Sequence, residues 1–190
     1  MTPTSTVSRR KFLENIGCVI IGFPLLGSCL REEDFSMAAR VDYLGKLPGS
    51  MGKANQVNAW LQVLEDGRVR VLSGKVEFGQ GIRTAIRQVA AEELDMELDQ
   101  VEVHLAETGL TPDEGYTAGS SSVPNSAMSV RYAAATARQK LLELASVKLD
   151  TAIEGLVLYN GRVQVKKSKE SVTFSELLSG VQIEMEVTIS

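Results

Sequence analysis

The stretch from Val69 to Leu94 constrains the fold most, because its hydrophobic period changes within a few residues. Val69-Arg70-Val71-Leu72 alternates as a strand does. Ser73-Gly74-Lys75-Val76-Glu77-Phe78-Gly79-Gln80-Gly81 follows. Then Ile82, Ala85, Ile86, Val89, Ala90 and Leu94 recur at three- and four-residue spacing, which predicts a helix over 82–94. A strand therefore runs into a Gly-Gln-Gly turn, and the turn opens a helix. Glycines admit positive φ and close backbone approach. A helix start offers unpaired N–H groups and partial positive charge, which suits a phosphate or an oxyanion. The Gln80 carboxamide carries donors and an acceptor, so it suits a neutral, heteroatom-rich ligand or a metal-bound oxygen. A glycine-rich turn without a ligand satisfies the same spacing. The Gly-Lys-Ser/Thr ending of a P-loop is missing.

A second strand–loop–helix follows. Val101 to Ala106 reads as a strand of the same sheet, with His104 on its solvent-facing beat. Glycine, proline and acidic residues fill 107–116. Thr117-Ala118-Gly119-Ser120-Ser121-Ser122 then leads through Pro124 into a long helix over about 125–149. Small hydroxyl residues at a helix start form an anion-binding surface, and they also serve as plain caps. Two such loops from one sheet favour a single extended polar ligand spanning both.

The flanking segments complete an α+β fold, with two hairpins and two main helices on one mixed sheet. Asp66-Gly67 joins Ala59–Leu64 to Val69–Leu72, with Trp60 in the core. Asn160-Gly161 joins Gly155–Tyr159 to Arg162–Val165; both turns carry strong hairpin signals. Thr173 to Leu178 reads as a short capped helix, and Val181 to Ile189 alternates as a last strand.

The start of the chain reads as an export signal over 1–29. Arg9-Arg10-Lys11-Phe12-Leu13 precedes an uncharged run rich in Ile, Leu and Gly, the layout of a twin-arginine signal. That run is shorter than the roughly 20 apolar residues of a bilayer span. Leu26-Gly27-Ser28-Cys29 resembles a lipoprotein box, which would make Cys29 a lipidation site and membrane anchor; a spare thiol in a discarded peptide is the alternative. Residues 30–56 are dense in turn formers and read as a linker. The product would be periplasmic or envelope-anchored. Cys18 and Cys29 are the only cysteines among 190 residues, so 57–190 has no thiolate for a disulfide or an iron–sulfur cluster. A net charge of -4 does not point to nucleic acid.

The run from Val57 to Leu144 resembles the molybdenum-cofactor subunit of the xanthine dehydrogenase and aldehyde oxidase family, the isoquinoline 1-oxidoreductase beta-subunit group above all. The likeness rests on Gly74–Gly81 with Thr84, on Ala91-Glu92-Glu93-Leu94 with Val101, and on Glu107-Thr108, Thr111-Pro112 and Thr117–Ser122. It implies a partial molybdopterin-binding domain over 57–190. Phe78, Gly79, Gln80 and Gly81 would face the pterin and its phosphate, and Gly119, Ser120 and Ser122 would line another part of it. The cofactor, in its cytosine dinucleotide form, would hydroxylate an aldehyde or N-heterocycle with oxygen from water. Electrons would leave through iron–sulfur clusters on a small-subunit partner.

The family's glutamate base and its Gly-Gly-Phe-Gly stretch have no counterpart here, so the resemblance assigns no catalytic residue and no protein metal ligand. Glu77 reads as structural. The chain would be a truncation or one piece of a split large subunit, completed by the remainder. A non-catalytic, envelope-anchored binding or assembly module that keeps the fold is the alternative.

Overall fold

The computed structural model describes residues 47–179 and 185–187. The expected export signal, Cys29, residues 30–46 and most of the last expected strand lie outside them. The described residues belong to one compact unit, Leu44–Ser190.

β1 (Leu61–Val63) and β2 (Val69–Ser73) form the first hairpin, antiparallel with Leu61 opposite Val71. Its turn closes where the Leu64 N–H donates to the Arg68 carbonyl at 2.8 Å. Gly67 takes φ +86°, the left-handed step that a three-residue hairpin loop requires. The strand starts later than its alternation suggests, because Val57–Ala59 forms a 3-10 turn. Trp60 then sits fully buried, as expected, and its indole N–H donates to the Ala54 carbonyl at 2.8 Å. A buried indole needs that partner.

α1 (Ile82–Leu94) occupies the expected span, with Ile82, Ile86, Ala90, Ala91 and Leu94 buried. β3 (Val101–Leu105) returns parallel to β2, from Val69 opposite Val101 to Ser73 opposite Leu105. Parallel neighbours require a crossover, and α1 supplies it. The long helix α2 (Met128–Lys148) packs against α1. Both bury alanines (Ala90, Ala91, Ala133, Ala134).

Beyond α2 the expectation of one mixed sheet fails. β4 (Leu156–Tyr159), β5 (Arg162–Val165) and β6 (Ser171–Thr173) make a separate antiparallel sheet in the order β4-β5-β6, while the first sheet runs β1-β2-β3. Alternation marks a segment as a strand but does not name its partner. Here the second hairpin finds β6 and packs on α2. A short helix, α3 (Phe174–Leu178), follows β6 and buries Phe174 and Leu177.

Residues 47–56, the end of the stretch expected to be a linker, lie against the domain. Met51 is buried, and the Val57 and Val187 amides donate to the Met185 and Asn55 carbonyls at 2.8 and 2.7 Å.

Candidate functional site

β2 and β3 end flush, with Ser73 opposite Leu105. The loop 74–81 and the loop 106–118 therefore leave one edge of the sheet, at the carboxyl ends of two neighbouring parallel strands. Ligands of open α/β sheets bind in that place.

Five hydrogen bonds tie the end of β2 and the first loop to the second loop. The Val76 N–H donates to the Thr117 hydroxyl at 2.9 Å. The buried Lys75 ammonium donates to the carbonyls of Glu114 and Tyr116, at 3.0 and 3.1 Å. One Glu114 carboxylate oxygen accepts from the Ser73 hydroxyl and the Gly74 N–H, both at 2.6 Å. Gly74 also lets the loops touch, because a Cβ there would come within 2.3 Å of the Pro112 carbonyl oxygen. Lys75 and Glu114 carry no signal in the sequence. Their partners lie some forty residues away, and no local period announces such a contact.

The Phe78–Gly81 turn is closed by two side chains, Glu77 before it and Gln80 within it. Glu77 Oε1 accepts from the N–H groups of Gly79 and Gly81 at 2.8 and 2.9 Å, and Oε2 accepts from that of Arg83 at 3.0 Å. These donors, that of Arg83 foremost and then that of Gly81, hold the Glu77 carboxyl below its ordinary value. The anion expected at the start of α1 is thus the chain's own carboxylate. Gln80 closes the turn from inside: its Nε2 donates to the Val76 carbonyl at 2.8 Å, and its Oε1 accepts from the Phe78 N–H.

Around this knot the surface is open. Cβ atoms built at Gly79, Gly81 and Gly119 would meet nothing within 4 Å. Phe78 is 77% exposed and Tyr116 86% exposed.

Ser122 behaves differently. It is buried, and its hydroxyl donates to the Ala118 carbonyl at 2.8 Å, holding the start of the second helical segment. Ser120 lies in the same helical turn, Gly119–Ser121. The expected site residues thus fall into two groups, 78–81 and 119–122, on loops joined through Val76 and Thr117.

His104 projects from β3 with both ring nitrogens facing carboxylates, Nε2 towards Glu102 and Nδ1 towards Glu107 at 3.3 Å. Among the described residues, no group of three or more His, Cys, Asp or Glu could hold a metal ion. No helix among them is long and apolar enough to cross a membrane.

The fold defines a class of α+β domain in which a parallel strand pair feeds two glycine-bearing loops into helices. Known proteins give that class a family. The sequence profile of the molybdopterin cofactor-binding domain matches residues 36–190, and the chain belongs to that family. A nicotinate dehydrogenase subunit of Pseudomonas putida is 38% identical over 128 residues, 67% of this chain and 11% of that protein. The beta subunit of isoquinoline 1-oxidoreductase from Brevundimonas diminuta is 32% identical over 133 residues, 66% of this chain and 17% of that one. The crystal structure of quinoline 2-oxidoreductase from Pseudomonas putida 86 matches with a TM-score of 0.52 at 26% identity, covering 63% of this chain and 15% of that one. The chain therefore spans less than a fifth of the length of these relatives.

Proposed function

We propose that the chain is a portion of the large subunit of an exported molybdenum hydroxylase, which oxidises a ring carbon of an N-heterocycle or an aldehyde carbon. The observation that carries this is the pair of loops, 74–81 and 106–118, joined at one sheet edge in a chain of the molybdopterin-binding family. Relatives named for nicotinate and isoquinoline favour the N-heterocycle.

The residues fit the flat, heteroatom-rich part of such a cofactor. With no Cβ at Gly79, Gly81 or Gly119, a planar ring can lie against the backbone there. Phe78 adds an exposed aromatic face beside it. Gln80 uses one of its two amide hydrogens on Val76 and keeps the other for a ligand. The start of α1 does not fit the cofactor's phosphate, because Glu77 already takes the N–H groups of Gly79, Gly81 and Arg83. When bound, the molybdenum–pterin group supplies the two-electron oxidation that places oxygen from water on the substrate carbon.

This chain's residues bind and orient. Glu77 holds the turn through both carboxylate oxygens, and Glu114 holds Ser73 and Gly74 through one, so we assign both a structural role. The base belongs to the remainder of the large subunit, and the iron–sulfur clusters belong to a small-subunit partner. Arg9-Arg10 supports export by the twin-arginine route, which carries folded cargo and so suits a protein that folds around a cytoplasmic cofactor. Cys29 is the candidate for a lipid anchor.

Molybdenum and pterin analysis of the natively exported protein, with its co-purifying subunits, tests the reading. We expect both, and Gln80→Ala lowers their content. Absence of both from the wild-type assembly leaves the non-catalytic module. Full occupancy in Gln80→Ala overturns the site.

A further inference from the structure

Glu77 stands outside both groups of residues assigned to the cofactor, yet the backbone of the Phe78–Gly81 turn is tied to it. Gly79 and Gly81 hold φ of +98° and +80°. Glycines reach such angles at little cost, but for the same reason nothing intrinsic holds them there. The Gln80 carboxamide bonds to Phe78 and to Val76, so it ties the turn back to the residue that the Thr117 hydroxyl holds, on the strand side. Glu77 is different. One of its oxygens takes the two glycine N–H groups, and the other takes that of Arg83, the second residue of α1. α1 is in turn fixed to the core by Ile82 and Ile86, and to β3 by the Arg83 guanidinium, which donates to the Val103 carbonyl. The carboxylate is the side-chain link between the turn and α1, beside the one backbone bond from the Ala85 N–H to the Gly81 carbonyl at 3.0 Å.

We propose that Glu77 is the positioning residue of the cofactor turn, its ionised carboxylate holding Phe78–Gly81 in the conformation that presents Phe78 and Gln80. It acts through the backbone and does not touch the cofactor. The inference rests on the reading that this turn meets the pterin. It also explains why a carboxylate stands beside a glycine turn that would otherwise serve an outside anion. Only the full carboxylate does this. In Glu77→Gln, an NH2 group replaces one acceptor and faces an N–H donor at nearly unchanged size.

The test uses the full chain co-produced with its subunits, and reads hydrogen exchange across 76–83 together with molybdenum and pterin per chain. In Glu77→Gln we expect exchange across 78–83 to rise about ten-fold while β2 and β3 keep their protection. Cofactor content should fall on the order of ten-fold, as loss of an outer-shell partner does at metal sites. Wild-type exchange is the second measurement, corrected for intrinsic rate and followed as pH falls through the carboxylate range. Protection of 78–83 should vanish before that of β2 and β3, independently of whether the variant folds. The proposal is overturned if Glu77→Gln keeps wild-type exchange at 78–83, or if wild-type protection there stays flat through that titration. It is also overturned if the turn loosens and occupancy does not change. If wild-type protein carries neither molybdenum nor pterin, the cofactor reading fails, and the exchange data still decide whether Glu77 holds the turn.

Discussion

Single residues here act through what they hold rather than through exposure. Alternation puts His104 on the solvent-facing beat of β3, and it is partly exposed there, but it stands between two carboxylates. Its hydrogen bond is the main reason that the Glu102 carboxyl lies below its ordinary value of 4.5, with Arg70 adding to the effect. The direction of the pH effect follows. A carboxyl whose folded value is depressed stabilises the fold above its unfolded value, and that contribution is lost as pH falls through the depressed one. We expect the Glu102 midpoint to lie below 4.5 in an NMR titration, and to move up towards it in His104→Ala. An unchanged midpoint in that variant would remove His104 as the cause.

At the scale of elements, caps and turn chemistry account for most boundaries. α3 has only five residues and could not persist alone. It is held by burial of Phe174 and by a capping box: the Thr173 hydroxyl accepts from the Glu176 N–H at 3.2 Å, and the Glu176 carboxylate accepts from the Thr173 N–H at 2.9 Å. Thr173→Ala should cost about 1 kcal/mol in urea unfolding. No change in that measurement would mean that packing alone fixes α3. The start of α2 teaches the opposite lesson. The Ser-rich run with Pro124 reads as a loop that stops before a helix. The structure instead carries a helical path from Gly119 through a widened π turn, Ser122–Ala127, into Met128. Proline lacks the N–H for a regular helical bond, and a single widened turn absorbs that loss.

For the whole molecule, the join between the two sheets is the feature no segment explains by itself. The Asn160-Gly161 turn reaches back past the end of α1. The Asn160 N–H donates to the Asp95 carbonyl at 2.8 Å, and its side-chain oxygen accepts from the Glu97 N–H at 3.2 Å. Gly161, at φ +81°, lies so near the first hairpin that a Cβ would stand 2.9 Å from the Gly67 carbonyl oxygen. Gly161→Ala therefore meets strain and a backbone clash together. We expect a loss of at least about 1–2 kcal/mol, read as a lower thermal midpoint. A variant as stable as wild type would show that the two turns do not need this close approach.

Local chemistry made much of this protein legible in its sequence. The span of α1, the left-handed steps at Gly67 and Gly161, the capped α3 and the strand–turn–helix around Gln80 all follow from residues within a few positions of one another. The two loops at one edge were legible too, since two strand–loop–helix units in one sheet imply it. Tertiary structure alone decided the rest. Periodicity says that 156–159 and 162–165 are strands, but not that they leave the first sheet for one of their own. Nor does it say that Met51 packs into the core, or that Glu114 and Lys75 bind the two loops across forty residues. Such contacts close long stretches of chain, and only the whole packed fold selects them over alternatives of equal local propensity. Glu77 lies between these cases. Its distance from Gly79, Gly81 and Arg83 is short enough to read, but only the folded turn shows that its carboxylate is the anion those N–H groups serve.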